Sequence, residues 1–353
     1  MTRPRMPIVA LLLSWVLTTA AAQDLRQSKL EEELRRLALT AGGTVGVAAV
    51  HLPSGRSAKV QASQRFPMAS TYKVAIAVAL LQRVEREELS LQDRFEVRPG
   101  DLRPGSGTLS VHFSHPGVAL SLENLLELML VLSDNTATDL LLREAGGPEA
   151  VSGVLRQLEI EEMRVDRPTL QLIADWAGVD LSQAAVGKAD AEAFIELFEA
   201  VTPQRRQEAA RAFLNDPRDT ATPEAMVRLL MLIRQGQALN PDHSVLLLDV
   251  MKRCETGPGR IRGLLPPYVE TAHKTGTIGS VTNDVGLLTL PDEGGEVALA
   301  VFIKDSPLEL AAREAAIAQM ARAVYDYFLF TAEGPEGAQQ ADDSQNSARP
   351  PGR

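Results

Sequence analysis

Segments with the pattern of β-strands lie near both ends of this 353-residue chain, and the long stretch between them has the pattern of helices. Near the N-terminus, "TVGVAAVHL" and "SAKVQ" are separated by the turn signal Pro53-Ser54-Gly55, which predicts a β-hairpin. Near the C-terminus come "YVETAHKTG", "NDVGLLTL" and "EVALAVFIK". Because the two groups lie far apart in sequence, they predict one sheet that is assembled from both ends of the chain.

The helical part of the chain runs from Thr71 to about Cys254 and is expected to form a second lobe inserted between the strands. Residues 24–40 place leucines near helical spacing among charges, which predicts an amphipathic surface helix. The segment "ELAAREAAIAQMARAVYDYFLF" predicts a last helix that closes the fold. With 45% hydrophobic residues, the chain can bury one large core or the cores of two lobes.

The N-terminus has the pattern of a secretory signal peptide. Arg3 and Arg5 precede an apolar segment over residues 7–17, which is too short to span a membrane, and small residues lead up to Gln23. We therefore predict a signal peptide over residues 1–22, with an uncleaved N-terminal anchor as the alternative. The mature protein is then expected to be secreted or periplasmic, with no stable membrane span after cleavage.

The charge and the residue composition argue against several kinds of partner and cofactor. The net charge of -10 argues against a general nucleic-acid binder. Cys254 is the only cysteine, so an internal disulfide and a cysteine-ligated metal site are both excluded, and its side chain is expected to be partly buried. His112 and His115 lie close in sequence but lack an evident third ligand, and we expect no metal and no cofactor.

The polar tail over residues 333–353 is predicted to be disordered.

Ser70 lies one helical turn ahead of Lys73 in "PMASTYKV", just before the apolar run "VAIAVALL". On a helix the two side chains share a face. A serine hydroxyl becomes a nucleophile when a base takes its proton, and a lysine can be that base if burial or nearby positive charge lowers its pKa. Taken alone, the pair is more typical of an ordinary helix start with a capping serine and a solvated lysine.

The triplet Ser133-Asp134-Asn135 is the second motif, because it interrupts the strongly apolar run "LELMLVLSDNTATDLLL". It is typical of a loop between two helices. In a catalytic site, Ser133 could relay a proton and Asn135 could contact a substrate amide.

The third motif is Lys274-Thr275-Gly276-Thr277 on a predicted strand. Strand alternation puts Lys274 and Gly276 on one face, and Thr275 and Thr277 on the other. Gly276 would let a substrate backbone approach closely, while Lys274 and Thr275 would supply a charge and a donor for a carboxylate. The alternative is an edge-strand lysine with no substrate.

The order S-x-x-K, S-D-N, K-T-G is that of class A β-lactamases and penicillin-binding proteins. From about residue 29 to 332 the chain resembles the class A β-lactamase family, also in "GGPEAV" and "RDTATPEAM". The resemblance implies an α/β two-lobe fold, with an antiparallel sheet and flanking helices plus an all-α lobe. It also implies a monomeric serine hydrolase that opens the β-lactam ring of a small-molecule substrate through an acyl-enzyme, without a cofactor.

The resemblance also implies a division of the chain. A catalytic domain would cover residues 23–332, with an α/β lobe built from residues 23–67 and 256–332 and a helical lobe over residues 68–255. "RDTATP" begins at Arg218, later than the family pattern places it.

The added segment, about residues 175–217, holds "KADAEAFIELFEAV" and "TPQRRQEAARAFL", both with helical pattern, and Pro203 can open the second helix. These helices either pack on the lobe as an extra pair or form a lid at the edge of the site. Arg218 and Asp219 are expected to anchor the base of the active-site loop through ion pairs.

The family's roles transfer residue by residue. Ser70 would be the nucleophile, Lys73 would accept or relay its proton, and Ser133 would pass a proton to the leaving nitrogen. The substrate-binding residues implied in this way are Asn135 for the side-chain amide, Lys274 and Thr275 for the ring carboxylate, Gly276 for close approach, and Thr277, whose N–H would form the oxyanion hole with that of Ser70.

Deacylation is the step for which the sequence departs from the family. The family loop R-x-E-P-x-L-N carries a glutamate that activates water, whereas this chain reads "EEMRVDRPTLQLIADWAGVD". One alignment puts Asp166 at the glutamate position, and the other puts Thr169 there. Threonine cannot act as a general base at neutral pH. Asp166 and Asp175 stay open as substitute bases.

Carboxylate recognition also departs from the family pattern. Many family members have an arginine on the strand after K-T-G, whereas this chain reads "SVTNDVGLL" with Asn283 and Asp284. Carboxylate binding would then rest on the K-T-G-T residues or on a residue from elsewhere. These departures keep two alternatives open: a penicillin-binding protein with slow deacylation, and another serine hydrolase such as a D,D-peptidase or esterase.

Overall fold

The computed structural model describes residues 25–113, 115–183 and 191–331. The predicted signal peptide over residues 1–22 and the predicted disordered tail over residues 333–353 lie outside this range, so both stay predictions. None of the described helices combines the length and the apolarity that crossing a bilayer requires.

Five strands form one antiparallel sheet in the order β2-β1-β9-β8-β7. Both chain ends contribute to it, and the N-terminal hairpin and the three late strands are confirmed. Two short ladders, β3 with β6 and β4 with β5, lie outside this sheet. In chain order the strands are β1 (Thr44–His51), β2 (Ser57–Val60), β3 (Phe66–Pro67), β4 (Arg94–Val97), β5 (Val118–Ser121), β6 (Thr220–Ala221), β7 (Thr271–Ile278), β8 (Val281–Thr289) and β9 (Glu296–Lys304).

Helices cover both faces of this sheet and make up the second lobe. The predicted first and last helices are confirmed as α1 and α12. In chain order the helices are α1 (residues 25–38), α2 (Lys73–Glu85), α3 (Leu109–His112), α4 (Leu122–Val131), α5 (Asn135–Glu144), α6 (Gly147–Gln157), α7 (Thr169–Ala177), α8 (Ala191–Ala200), α9 (Pro203–Phe213), α10 (Pro223–Arg234), α11 (Pro241–Lys252) and α12 (Leu310–Thr331).

Side-chain alternation along β9 divides the core in two. Leu299 and Val301 belong to the cluster that packs against α1 and α12, while Ala300 and Phe302 belong to the cluster shared with the helical lobe. A strand covered on both faces reads as a continuous apolar run, which explains "EVALAVFIK". The expected fold class, an antiparallel sheet with flanking helices plus a helical lobe, is thus confirmed. The boundaries predicted for the two lobes stay predictions.

The added segment is helical in its described part. The side chain of Thr202 caps α9 by accepting a hydrogen bond from the N–H of Arg205, and Pro203 opens the helix as predicted. Phe194 of α8 packs in a small apolar cluster with residues of α7, and Arg205 of α9 donates to the carbonyl of Gly178 at 3.0 Å. The added helices therefore brace α7, which begins at Thr169.

Candidate active site

Ser70 lies in a single 3₁₀ turn, Ala69–Tyr72, directly before α2. Ala69 has φ +46°, in the left-handed region that L residues rarely adopt, so the turn has to be held in place. Asn283 of β8 does this by donating to the carbonyl of Met68 at 2.9 Å. The sheet thus fixes the turn that presents the half-buried Ser70.

Lys73 is fully buried, and three acceptors surround its ammonium. The Nζ atom lies 2.7 Å from the carbonyl oxygen of Ser133, 3.1 Å from Ser133 Oγ and 2.9 Å from Asn135 Oδ1. These contacts join the first motif to the second, which lies some sixty positions further along the chain. The pairing predicted from the motif order is therefore present in the fold.

The surroundings of Lys73 make it a potential proton acceptor. Burial is the main reason that its pKa lies well below the ordinary value of a lysine, and the nearby positive charge of Lys274 lowers the pKa further. The negative charges of Asp134 and Asp139 oppose these effects without cancelling them. The lowered pKa lets Lys73 exist without its proton more readily than an exposed lysine does, as a general base must.

Ser133 lies between two lysines. Its hydroxyl oxygen is 3.1 Å from Lys73 Nζ and 3.0 Å from Lys274 Nζ. The residue has φ +58° and lies in the short link between α4 and α5. Asp134 shapes this link, since its carboxylate accepts from the N–H groups of Thr108, Leu109 and Ala137 within 3.0 Å. The triplet thus covers the end of the link and the first residue of α5, and it brings a hydroxyl between both lysines.

Gly276 on β7 permits a close approach to the nucleophile turn. A Cβ atom at this position would lie 2.6 Å from the carbonyl oxygen of Met68 and 3.1 Å from the backbone nitrogen of Ser70. The close approach predicted for Gly276 therefore involves the protein's own backbone. Of its neighbours, Thr275 contacts Thr256 through the two hydroxyl groups, at 2.5 Å.

Arg260 supplies a cation that the sequence pattern did not identify. It is 3% exposed and donates to the carbonyls of Gly276 and Asn283, while Nη2 donates to Thr277 Oγ1 at 2.6 Å. Glu314 of α12 pairs with its Nε at 3.0 Å. Arg260 lies in the turn after α11 and not on the strand that follows K-T-G. The sequence of that strand therefore could not reveal it.

A cavity of about 250 Å³ opens beside Ser70. Its lining includes Tyr72, Asn135, Thr169 and Thr277. The described residues that line the cavity include no aspartate or glutamate, and none comes from α8 or α9. The helices α8 and α9 therefore give no support to the lid alternative, whereas Trp176, at the start of the added segment, does line the cavity. Within the described ranges, no group of three or more His, Cys, Asp or Glu side chains could hold a metal ion.

Thr169 occupies the cavity wall at the start of α7. Its hydroxyl lies 2.6 Å from the Tyr72 hydroxyl, and its N–H donates to Asp139 at 2.6 Å. Burial raises the pKa of Tyr72 well above its usual value, and the negative charge of Asp139 adds to this effect, so the phenol keeps its proton. Of the two alignments, this geometry supports the one that puts Thr169 at the position of the missing glutamate.

The structure does not bring Asp166 or Asp175 to the cavity. Asp166 accepts hydrogen bonds from Arg164 Nε at 2.9 Å and from the N–H of Asp219 at 2.8 Å. Burial would raise the pKa of Asp166, but these hydrogen bonds outweigh it and the pKa is lowered. Asp175 pairs with Arg167 at 2.5 Å. Both carboxylates are committed to holding the loop, which argues against either as the deacylating base.

Arg167 is the centre of the loop anchor. It is 4% exposed and pairs with Asp219 at 2.6 Å and with Asp216 at 3.1 Å, in addition to Asp175. Arg218 pairs with Asp216 at 2.6 Å. The predicted anchoring by ion pairs is present, but Asp219 binds Arg167, whose role the sequence did not reveal.

Comparisons with known proteins point in the same direction as the geometry. The model of the "Beta-lactamase enzyme family" matches residues 29–328. The chain is 26% identical over 334 residues to Beta-lactamase VEB-1 of Pseudomonas aeruginosa, covering 92% of this chain and 98% of the relative. It is 28% identical over 321 residues to Beta-lactamase CTX-M-25 of Escherichia coli, covering 90% and 94%. The solved structure of the ancestral GNCA class A β-lactamase has a TM-score of 0.69 at 31% identity, covering 84% of this chain and 99% of that one.

Proposed function

This chain belongs to the class A β-lactamase family, and from that premise we propose that it hydrolyses β-lactams through an acyl-enzyme on Ser70. The observation that carries the proposal is the position of the Ser133 hydroxyl between Lys73 Nζ and Lys274 Nζ, at 3.1 Å and 3.0 Å. This arrangement offers a proton route from the nucleophile to a leaving nitrogen.

In the acylation step, Ser70 Oγ attacks the carbonyl carbon of the β-lactam ring while its proton passes to Lys73. The C–N bond of the ring then breaks, and Ser133 delivers a proton to the nitrogen and is reprotonated from Lys73. The N–H groups of Ser70 and Thr277, two residues of the cavity wall, are proposed to stabilise the oxyanion. The contacts of the Ser133 hydroxyl with Lys73 and Lys274 support these proton transfers.

The substrate carboxylate is proposed to bind at β7. Lys274 contributes a buried ammonium group, and Thr275 and Thr277 contribute hydroxyl groups. Arg260 holds Thr277 Oγ1 from behind at 2.6 Å and adds a second positive charge. Buried cations attract an anion more strongly than exposed ones because solvent screens them less.

Deacylation is proposed to limit turnover. The ester needs a base to activate water, and the described cavity residues include no carboxylate. Threonine and a protonated tyrosine cannot replace one at neutral pH. This feature favours a second candidate function, a penicillin-binding protein that is acylated on Ser70 and released slowly.

Intact-mass spectra recorded over time after mixing with penicillin separate the two functions. Turnover of a chromogenic cephalosporin with a transient adduct supports the β-lactamase, and a lasting adduct without turnover supports the penicillin-binding protein. Ser70→Ala should abolish adduct and turnover. If the native protein forms no adduct and hydrolyses no β-lactam, both functions are wrong, and release of D-alanine from a cell-wall peptide would then identify a peptidase.

We also propose export to the periplasm as a monomer. The basic and apolar pattern over residues 1–22 supports export. The intact mass of protein recovered from the periplasmic fraction tests the cleavage before Gln23, and sedimentation tests the oligomeric state.

A further inference from the structure

Three buried titratable side chains form a cluster behind the strand that carries Lys274. Cys254 is 1% exposed, and His273 and Asp284 are fully buried. The Asp284 carboxylate lies within 3.0 Å of His273 Nδ1 and also accepts the N–H of Ile261 at 3.1 Å. A carboxylate that already accepts one N–H places the ring proton of the histidine on Nδ1.

The other ring nitrogen of His273, Nε2, is buried and has no hydrogen-bond partner. Because Asp284 takes Nδ1, Nε2 is the atom left to interact with the Cys254 side chain, which acts on the titration of His273. A buried nitrogen left in this state destabilises the fold, and a proton together with a counter-charge would remove that cost. The proton of the Cys254 thiol can supply both, because its transfer leaves a thiolate beside an imidazolium.

The charges around the cluster favour this transfer. Burial alone would raise the pKa of Cys254, but the hydrogen bond and charge of His273, with the charge of Lys274, bring that pKa to about 6. Burial alone would lower the pKa of His273, but Asp284 and then Cys254 raise it to about 9. The pKa of the thiol is lowered and the pKa of the imidazole is raised, and both directions favour a thiolate beside an imidazolium.

The thiol is connected to the K-T-G motif by contacts. Cys254 Sγ lies 3.3 Å from Thr256 Oγ1, which lies 2.5 Å from Thr275 Oγ1. The carbonyl of Thr275 accepts from Lys274 Nζ at 3.0 Å. A change of charge at the sulfur is therefore felt close to the ammonium group of Lys274.

Lys274 needs negative charge nearby to keep its proton. Burial brings its pKa down to about 8, the charge of Arg260 also lowers it, and Cys254 and Asp284 are the anions that oppose this decrease. Arg262 also faces the cluster, through a hydrogen bond to the carbonyl of Cys254. Arg260 is itself paired with Glu314, so Asp284 is the permanent anion that acts on Lys274, and the charge of the sulfur becomes important.

We propose that Cys254 and His273 form a buried thiolate–imidazolium pair, held by Asp284, that keeps the Lys274 ammonium charged for binding a substrate carboxylate. The proton moves from Cys254 Sγ to His273 Nε2, and the Nδ1–H of the imidazolium donates to Asp284. No covalent bond between heavy atoms forms or breaks. Cys254 is a positioning residue, since it acts on the substrate only through Lys274. Its effect on turnover rests on the proposed function, whereas the existence of the pair does not.

Titration of the thiolate tests the pair directly. The chain has one cysteine, so the ultraviolet difference between the native protein and Cys254→Ser belongs to a single thiol. We expect a midpoint near pH 6 in the native protein, and a shift toward the ordinary cysteine value of about 8.5 in His273→Asn. If the thiol of the native protein titrates at the ordinary cysteine value, the proposed pair is wrong. The chemically denatured protein gives that ordinary value, so this test does not depend on whether a variant folds.

The pH profile of penicillin acylation tests the link to Lys274. In Cys254→Ser we expect the alkaline limb to move down by about one pH unit, and in Cys254→Asp, which restores an anion, we expect it to return. If the alkaline limb of the pH profile is unchanged in Cys254→Ser, the proposed effect of Cys254 on Lys274 is wrong. Circular dichroism checks that this variant is folded. If penicillin acylates no form of the protein, the proposed function fails while the thiolate titration still decides on the pair.

Discussion

The hydroxyl groups of Tyr72 and Thr169 lie 2.6 Å apart in the wall of the Ser70 cavity, at the position where the family resemblance places a carboxylate. The pair is neutral, because the raised pKa of Tyr72 keeps the phenol protonated. A water molecule there would find hydrogen-bond partners but no base. The chemistry available for forming the acyl-enzyme is therefore more complete than the chemistry for hydrolysing it.

Thr169→Glu should restore a base for deacylation. General-base catalysis contributes about a hundredfold or more to such steps, so we expect the acyl-enzyme lifetime to fall by about that factor. The decay of the penicillin adduct in time-resolved intact-mass spectra measures it. Thr169→Val is the matched control, which removes the hydroxyl without adding a base. Equal lifetimes in the Glu variant and the native protein would contradict this account.

The rate of acylation should have a bell-shaped dependence on pH. It rises as Lys73, whose pKa is lowered, loses its proton and becomes a base, and it falls as Lys274 loses the charge that binds the carboxylate, near pH 8. Stopped-flow measurement of kcat/KM against pH tests both limbs.

Lys73→Arg supplies a control for the acid limb, because a guanidinium keeps its proton at every accessible pH. We expect the acylation rate to fall by about a hundredfold or more in this variant, with no recovery at high pH. An Arg variant that acylates at the native rate would show that Lys73 is not the base.

Arg260→Ala should weaken substrate binding more than it slows the chemistry. The guanidinium supports Thr277 and adds positive charge behind β7, so we expect KM for penicillin to rise about tenfold with a smaller change in kcat. A β-lactam whose carboxylate is esterified serves as the control, since it should not distinguish the variant from the native protein. If Arg260→Ala raises KM by the same factor for penicillin and for the esterified β-lactam, Arg260 does not act through the substrate carboxylate.

The sequence was sufficient to predict the sheet and the grouping of the three motifs. It was not sufficient to predict which residue of the active-site loop faces the cavity. Strand patterns and turn residues are local, and they gave β1 with β2 and the late strands. Whether Asp166 or Thr169 faces the cavity depends on a contact between Asp166 and Asp219, 53 positions further along the chain. Residue type alone carries no information about a contact at that distance.

Arg260 illustrates the same limit. Its neighbours in sequence, "GPGRIRG", have the composition of a loop, and the partners that give it a role lie on β7, β8 and α12. Pairing over such separations is set by the packing of the whole lobe. The sequence left open that a residue from elsewhere in the chain binds the carboxylate, and the fold was needed to identify Arg260 as a candidate.

The loop anchor should depend on Arg167 far more than on Arg164. Arg167→Met leaves the buried carboxylate of Asp219 without its main partner, and removing one member of a buried pair costs about 3–5 kcal/mol of unfolding free energy. Arg164→Ala is the control, because its side chain is 49% exposed and such pairs contribute less than about 1 kcal/mol. Urea denaturation at neutral pH measures both losses.

The deficit of Arg167→Met should also depend on pH. Burial already raises the pKa of Asp219 in the folded state, and Arg167 opposes that effect. Without Arg167 the folded-state pKa rises further above the unfolded value, so the folded protein takes up a proton more readily than the unfolded chain. The destabilisation should therefore shrink as the pH falls from 7 toward the pKa of Asp219. Equal losses for the two variants, or a loss independent of pH, would show that Asp219 is not the group that Arg167 stabilises.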